Sequence, residues 1–228
     1  MYKNLFVILV LLAIGYSSCQ KYPYRAAPPL TSASYFPQTY GSTWRYRDSI
    51  FGEATDPLAI YGIKNDTIIY TMNGGTSDFN SRISYDVQVG SRIFPPHVAD
   101  YFVGKHLYDL IEPTQPFGLI DLAVFVDTAQ VGDTWLNCPS LTQLLHNSPV
   151  QAINTLVEAN ITRVVGGKTY TQVAHTTINF QININNTGYY NIAHFDFYLA
   201  NGIGIIEKDA YYYGYLNETQ TLIDYVIK

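Results

Sequence analysis

Apolar side chains return at every second position in four separate stretches of this chain, a spacing that fits an extended strand rather than a helix. Ile83, Tyr85, Val87 and Val89 alternate with Arg82, Ser84, Asp86 and Gln88. Ile178, Phe180, Ile182 and Ile184 alternate with Asn179, Gln181, Asn183 and Asn185. Ala193, Phe195, Phe197 and Leu199 alternate with His194, Asp196 and Tyr198. Thr221, Ile223, Tyr225 and Ile227 alternate with Leu222, Asp224 and Val226. Strands written this way have one dry and one wet face, the habit of antiparallel sheets. Turn chemistry separates them: Asn73-Gly74-Gly75, Gly166-Gly167, Asn185-Asn186-Thr187-Gly188 and Asn201-Gly202. Gly166-Gly167, between Ile161–Val165 and Lys168–Ala174, predicts a hairpin. The expected fold is mainly β: a curved antiparallel sheet, as an open half-barrel or sandwich-like, with at most one or two short helices. The supply of tyrosine, isoleucine and threonine favours this, since such residues suit half-buried pleated surfaces.

Two segments carry helical signals. Pro96–Leu110 has apolar residues at Val98, Tyr101, Phe102 and Leu107, with Gly104 against it; Ser140–His146 would be capped by Ser140. There is also an internal echo: Tyr40-Gly41-Ser42-Thr43-Trp44 recurs as Val131-Gly132-Asp133-Thr134-Trp135 and holds the only two tryptophans. It reads as a weak duplication of 35–130 in 131–228, or as two similar turn-to-strand entries within one β-rich domain spanning 35–228.

The N-terminus gives an address. Tyr2 and Lys3 precede an unbroken apolar run, Leu5–Ile14, too short for a mature transmembrane helix but suited to a secretory signal. Gly15-Tyr16-Ser17-Ser18 then leads into Cys19, and this arrangement resembles the lipobox of bacterial lipoproteins, with Tyr16 where that family prefers an aliphatic residue. The resemblance implies that residues 1–18 are a signal peptide, that Cys19 is acylated, and that 19–34 is a tether. Pro23, Pro28 and Pro29 fit an extended spacer.

Loss of residues 1–18 removes one of the 13 basic residues and no acidic one, leaving 12 − 18 = −6. That sign, with no basic cluster, argues against nucleic acid as a partner. Membrane residence then falls to the lipid. Cys138, in Trp135-Leu136-Asn137-Cys138-Pro139, is the only other cysteine; a buried, inert thiol is the simpler reading, a nucleophile near His146 the sharper one.

Tyr35-Phe36-Pro37, Gly41 and Trp44-Arg45-Tyr46 resemble the opening of a group of uncharacterised lipoproteins common in Bacteroidetes. Val131-Gly132-Asp133-Thr134-Trp135, Gly167-Lys168-Thr169-Tyr170 and Gly202-Ile203-Gly204-Ile205-Ile206 resemble later stretches of the same group. The resemblance implies a curved antiparallel sheet like the half-barrel of lipoprotein-localisation factors, and no particular activity. Gln20 after Cys19, with no acidic cluster following, resembles lipoproteins of the outer membrane that face the periplasm. Asp48-Ser49-Ile50, Asp66-Thr67-Ile68 and Asp127-Thr128-Ala129 resemble that phylum's loose O-glycosylation pattern, or arise by chance in a threonine-rich chain.

Chemistry-bearing groupings are sparse. His194 and Asp196 share a strand face, and His175 lies on the outward side of a preceding strand; together they are a candidate metal site or incidental residues on a wet face. Glu207 and Asp209 also share a face, without an evident partner acid or base. Tyr211, Tyr213 and Tyr215 are expected on one strand face, as a ligand surface or as sheet packing. Three functions follow. The first is a lipid-anchored binding or structural lipoprotein, needing no cofactor, that takes a small apolar ligand or an envelope protein. The second is an envelope hydrolase or metal-dependent enzyme on His175, His194 and Asp196. The third is a glycan-binding surface on the tyrosines.

Overall fold

Alternating stretches that follow one another closely pair with their sequence neighbours, and the result is one long meander. The structure, a computed structural model, describes residues 35–51, 66–74, 78–79, 82–90, 97–103, 107–114, 118–137 and 148–228. Cys19, the tether, Cys138 and the helix expected over Ser140–His146 lie outside the described residues. The first half holds β1 (Thr43–Ile50), β2 (Asp66–Gly74), β3 (Asp78–Phe79), β4 (Arg82–Gly90), β5 (His97–Val103), β6 (Leu107–Thr114) and β7 (Gly118–Val126). The second holds β8 (Thr134–Asn137), β9 (Val150–Val165), β10 (Lys168–Asn183), β11 (Tyr189–Ala200), β12 (Gly204–Tyr212) and β13 (Tyr215–Val226). Among the described residues the one helical element is a 3-10 turn at Ile184–Asn186.

The ladder runs β7-β6-β5-β4-β2-β1-β13-β12-β11-β10-β9-β8, antiparallel throughout, with β3 beside β4. The chain starts at the centre, works outward to β7, crosses to β8 at the far edge, and returns inward to β13. Laid flat, such a path would be about 50 Å wide at ~4.8 Å per strand. Residues 127–133 join its two edges, and that length of chain reaches less than ~30 Å. The sheet must therefore curl until β7 and β8 meet. No backbone ladder joins these two strands, so the barrel stays open. Side chains seal the seam instead: Trp135 Nε1 donates to the Ala123 carbonyl at 2.9 Å, and Asn137 Nδ2 donates to that of Asp121 at 2.9 Å.

Curling gathers the dry faces inside. Phe180, Phe195, Phe197, Leu156, Ile178, Ile182 and Met72 are fully buried there. Truncating one such phenylalanine to alanine typically costs ~3–5 kcal/mol, through lost burial plus the cavity left behind. The hairpin expected at Gly166-Gly167 joins β9 and β10. Three expectations fail. Pro96–Leu110 is not helical, because β5 and β6 occupy most of it and Gly104 falls between them. Ile184 leaves the dry face and is half exposed in the 3-10 turn. In β13 the dry face belongs to Gln220 and Leu222, while Tyr225 and Val226 are exposed.

The segments that echo one another do similar work. Gly41 and Gly132 turn at positive φ (78° and 90°), and Trp44 and Trp135 each sit second in the strand that follows. Both indoles donate to a main-chain carbonyl, Trp44 to Ile203 at 2.6 Å. The cause is visible in β12, whose pairing with β13 starts only at Glu207. Ahead of that point Trp44 serves the backbone of the preceding turn and the Tyr46 hydroxyl, 2.7 Å from the Ile205 carbonyl, that of β12. Gly204, at φ +109°, lets the chain pass against Trp44. Phe36 stacks on Tyr108 and Tyr35 tilts against Phe125 at this same end of the sheet, where the described chain begins. The β10–β11 and β12–β13 turns mark the opposite end.

Candidate functional site

The outer, wet face of β9–β13 carries a band of ionisable side chains set by register. Thr177, Asp196, Asp209 and Thr219 lie opposite one another on β10 to β13, and His175, Tyr198, Glu207 and Thr221 form the next row. His175 Nε2 contacts Asp196 Oδ1 at 2.9 Å, and His194 Nε2 contacts Asp196 Oδ2 at 3.3 Å. One carboxylate thus bridges two imidazoles. The remaining nitrogens are also engaged, His175 Nδ1 with Glu158 Oε2 at 3.2 Å and His194 Nδ1 with Asn179 Oδ1 at 2.9 Å. Tyr198 stacks on the His175 ring, and the Arg163 guanidinium lies over the other partner, 3.3 Å from the Tyr198 centroid. Arg163 Nε also donates to Glu207 Oε2 at 2.6 Å. Arg163 reaches this face because β9 and β10 pair irregularly, with Asn160 and Gln172 at positive φ. The hairpin tip then lies against β13, where Lys168 Nζ donates to the Ile223 carbonyl at 2.7 Å.

Charge shapes the acids of this band. Burial alone would raise the Asp196 carboxyl, but hydrogen bonds from His175 and His194, helped by their charge, hold it well below the usual carboxylate range. Asp209, directly opposite, is pushed up by burial; the charges of Glu207 and Asp196 add to this, and the Thr219 hydroxyl bond opposes it. Two aspartates facing across adjacent strands repel, and only Asp196 has imidazoles to offset this.

Of the three residues expected to converge, His175 and His194 therefore both meet Asp196 and not each other. They are bonded in a way that leaves neither imidazole a free nitrogen for a metal or substrate. Among the described residues no group of three His, Cys, Asp or Glu side chains is placed to hold a metal ion. Glu158 and Asn179 complete the network and went unread in the sequence; Asn179 sits at a wet position of β10, but Glu158 is brought in by register alone.

The tyrosine run departs from expectation. β12 ends at Tyr212, Tyr213 takes φ 50° in the turn with Gly214, and Tyr215 starts β13, so the three rings do not line one strand face. Tyr213 and Tyr215 are exposed, while Tyr211 is half-buried beside His194 with centroids 5.6 Å apart.

A second ionisable group lies inside. Asp48, Asp66 and Lys208 are buried on the inner face together with Gln220. Asp48 is opposite Asp66 on β2 and Gln220 on β13, and Lys208 Nζ is 3.7 Å from Glu218 Oε1. Burial first, and then the nearby Glu218, push the Asp48 carboxyl up to about 8, against the pull of Lys208. Its Oδ1 has no hydrogen-bond partner among the described residues.

No family model matches the chain, and neither does any curated protein. Two solved structures share the fold. One, from Bacteroides fragilis, is described as a candidate exported protein with a YmcC-like fold; it is 11% identical, with a TM-score of 0.51 over 85% of this chain and 99% of its own. The other, from Parabacteroides distasonis, is described as a candidate lipoprotein; it is 11% identical, with a TM-score of 0.51 over 86% of this chain and 100% of its own. At that identity the likeness is one of fold.

Proposed function

We propose that this chain is a lipid-anchored lipoprotein of the bacterial cell envelope, of binding or structural type, acylated on Cys19 and then cut before it, with residues 1–18 removed. The observation that carries this is the N-terminal order of charge, ten apolar residues, small residues and cysteine. In this reading residues 19–34 tether a β domain, 35–228, to the periplasmic side of the outer membrane. A fold shared with a candidate exported protein and a candidate lipoprotein supports it. Among the described residues the inner face is filled by its own phenylalanines and leucines, which supports recognition at the surface over an apolar ligand inside. An enzyme built on His175, His194 and Asp196 gains little support, since every ring nitrogen is already engaged. Labelling of cells with a radioactive fatty acid tests the proposal: the wild type should take up the label, and Cys19→Ala should take up none. An unlabelled wild type, or a labelled Cys19→Ala protein, would contradict it.

A further inference from the structure

The end of the sheet opposite Tyr35 differs chemically from the rest of the outer face. Thr176–Ala193 and Ala210–Asn217 contain no Lys, Arg, Asp, Glu or His. They supply the ends of β10, β11 and β12 together with both turns. Four exposed tyrosines mark this end: Tyr189, opposite Asn183 on the outer face, and Tyr190, opposite Ile182 on the other, at 43% and 51% exposure, with Tyr213 in the turn and Tyr215 opposite Tyr212 at 66% and 77%. The β12–β13 turn rests on β11, where Tyr213 N donates to the Ile192 carbonyl at 3.0 Å, three residues from Tyr189 at the start of that strand. At this end runs a chain of amides across three strands, with Gln151 Nε2 on Gln181 Oε1 at 2.7 Å and Gln181 Nε2 on Asn191 Oδ1 at 2.7 Å. Hydrogen bonding within this chain fixes which way each amide points, so donors and acceptors are set before a ligand arrives.

We infer that this end binds neutral glycan chains, an inference that rests on the envelope reading above and gives its binding function a ligand class. Tyrosine rings offer flat apolar faces for the C–H side of a sugar, and the amides offer paired donors and acceptors for its hydroxyls. Among the described residues the two turns hold no charge, so an ionic ligand finds no counter-ion in them, and the acidic band beginning at His194 and Asp196 disfavours anions. The anchoring bilayer is a poorer occupant. The described chain begins at Tyr35 beside Phe125, and Pro37 lies against Gly204 at the start of β12, whereas the tyrosines sit past its end at Tyr212. The length of β12, about 26 Å at ~3.3 Å per residue, separates the two ends.

The test uses the full chain in detergent, titrated with cellotetraose, maltotetraose and chitotetraose, and polygalacturonate as an anionic counterpart, by calorimetry. At least one neutral tetrasaccharide should bind, and Tyr189→Ala with Tyr213→Ala should weaken it about tenfold. Tyr189→Phe with Tyr213→Phe should keep most of the affinity, because the rings remain. Tyr40→Ala, which removes an exposed ring at the other end, should change nothing. Absence of binding by all three at millimolar concentration overturns the inference, as does unchanged binding in the alanine pair. Flotation of full-length Cys19→Ala with zwitterionic liposomes, lost in the alanine pair, would assign the rings to a bilayer and equally overturn it. Acylation of Cys19 is read separately, so either claim can fail alone.

Discussion

Asp48 on β1 and Asp196 on β11 are both mid-strand aspartates, both largely withdrawn from water, yet their surroundings drive them in opposite directions. Asp196 faces outward between two imidazoles that donate to its two oxygens, and its charge is held. Asp48 faces inward beside another acid, Glu218, with Lys208 as the only nearby cation among the groups that influence it, and its charge is resisted. Burial penalises the ion in both places; what decides the outcome is whether donors meet the oxygens. One sheet thus carries an acid that stabilises the fold when ionised and one that stabilises it when protonated.

Asp48 gives the largest expected effect. Its folded-state pKa, about 8, lies above the ordinary carboxylate value, so the folded protein holds a proton that the unfolded chain has released. Stability from this group is complete below about pH 4 and is lost as pH rises toward 8, a fall of a few kcal/mol in order of magnitude. Urea unfolding at pH 5, 7 and 9 should show this decline, and Asp48→Asn, which mimics the neutral acid, should flatten it. A wild type with no decline would break the comparison.

Asp196 has the reverse sign. Its folded-state pKa is lowered, so its contribution is present above about pH 4 and is lost as pH falls below that. Asp196→Asn should cost ~1–3 kcal/mol at pH 7, because two imidazoles lose a charged acceptor. It should also make the acid limb of the unfolding curve shallower. An unchanged acid limb would show that the bridge is not held in solution.

The two histidines should then separate. His175 is shielded and meets two carboxylates, whereas His194 is more open and meets one carboxylate and an amide. His175→Gln should therefore destabilise by ~1 kcal/mol and His194→Gln by a few tenths. Zinc titration should show no stoichiometric site; one that disappears in His194→Ala would restore the metal reading. Smallest of all is the surface pair Arg45–Asp224, with both side chains 48% exposed. Asp224→Asn should shift stability by less than ~0.5 kcal/mol, since water and salt screen such pairs.

The legibility of these features in the sequence follows from how local each cause is. Period-two alternation is local, so β4, β10 and β11 could be read, as could the Gly166-Gly167 turn. Pro96–Leu110 misled because Val98, Tyr101 and Phe102 satisfy helical spacing, although β-branched and aromatic residues are weak helix formers. Tyr212-Tyr213-Gly214 hid a turn inside an aromatic run, since nothing but Gly214 announces a left-handed residue. His194 and Asp196 could be placed on one face, but register, which is not local, brought them Glu158 and Asn179. The burial of Asp48 does have a local signal: it stands two and four residues after Tyr46 and Trp44, on the face those rings bury.

All of this concerns the folded domain, whereas the proposed role depends on what happens ahead of it. Mass spectrometry of the N-terminal peptide from membranes of the native host tests that role most directly. The predicted result is a chain beginning at Cys19 and carrying the mass of a thioether-linked diacylglyceryl group; residues 1–18 still attached, or a free Cys19 thiol, would contradict it.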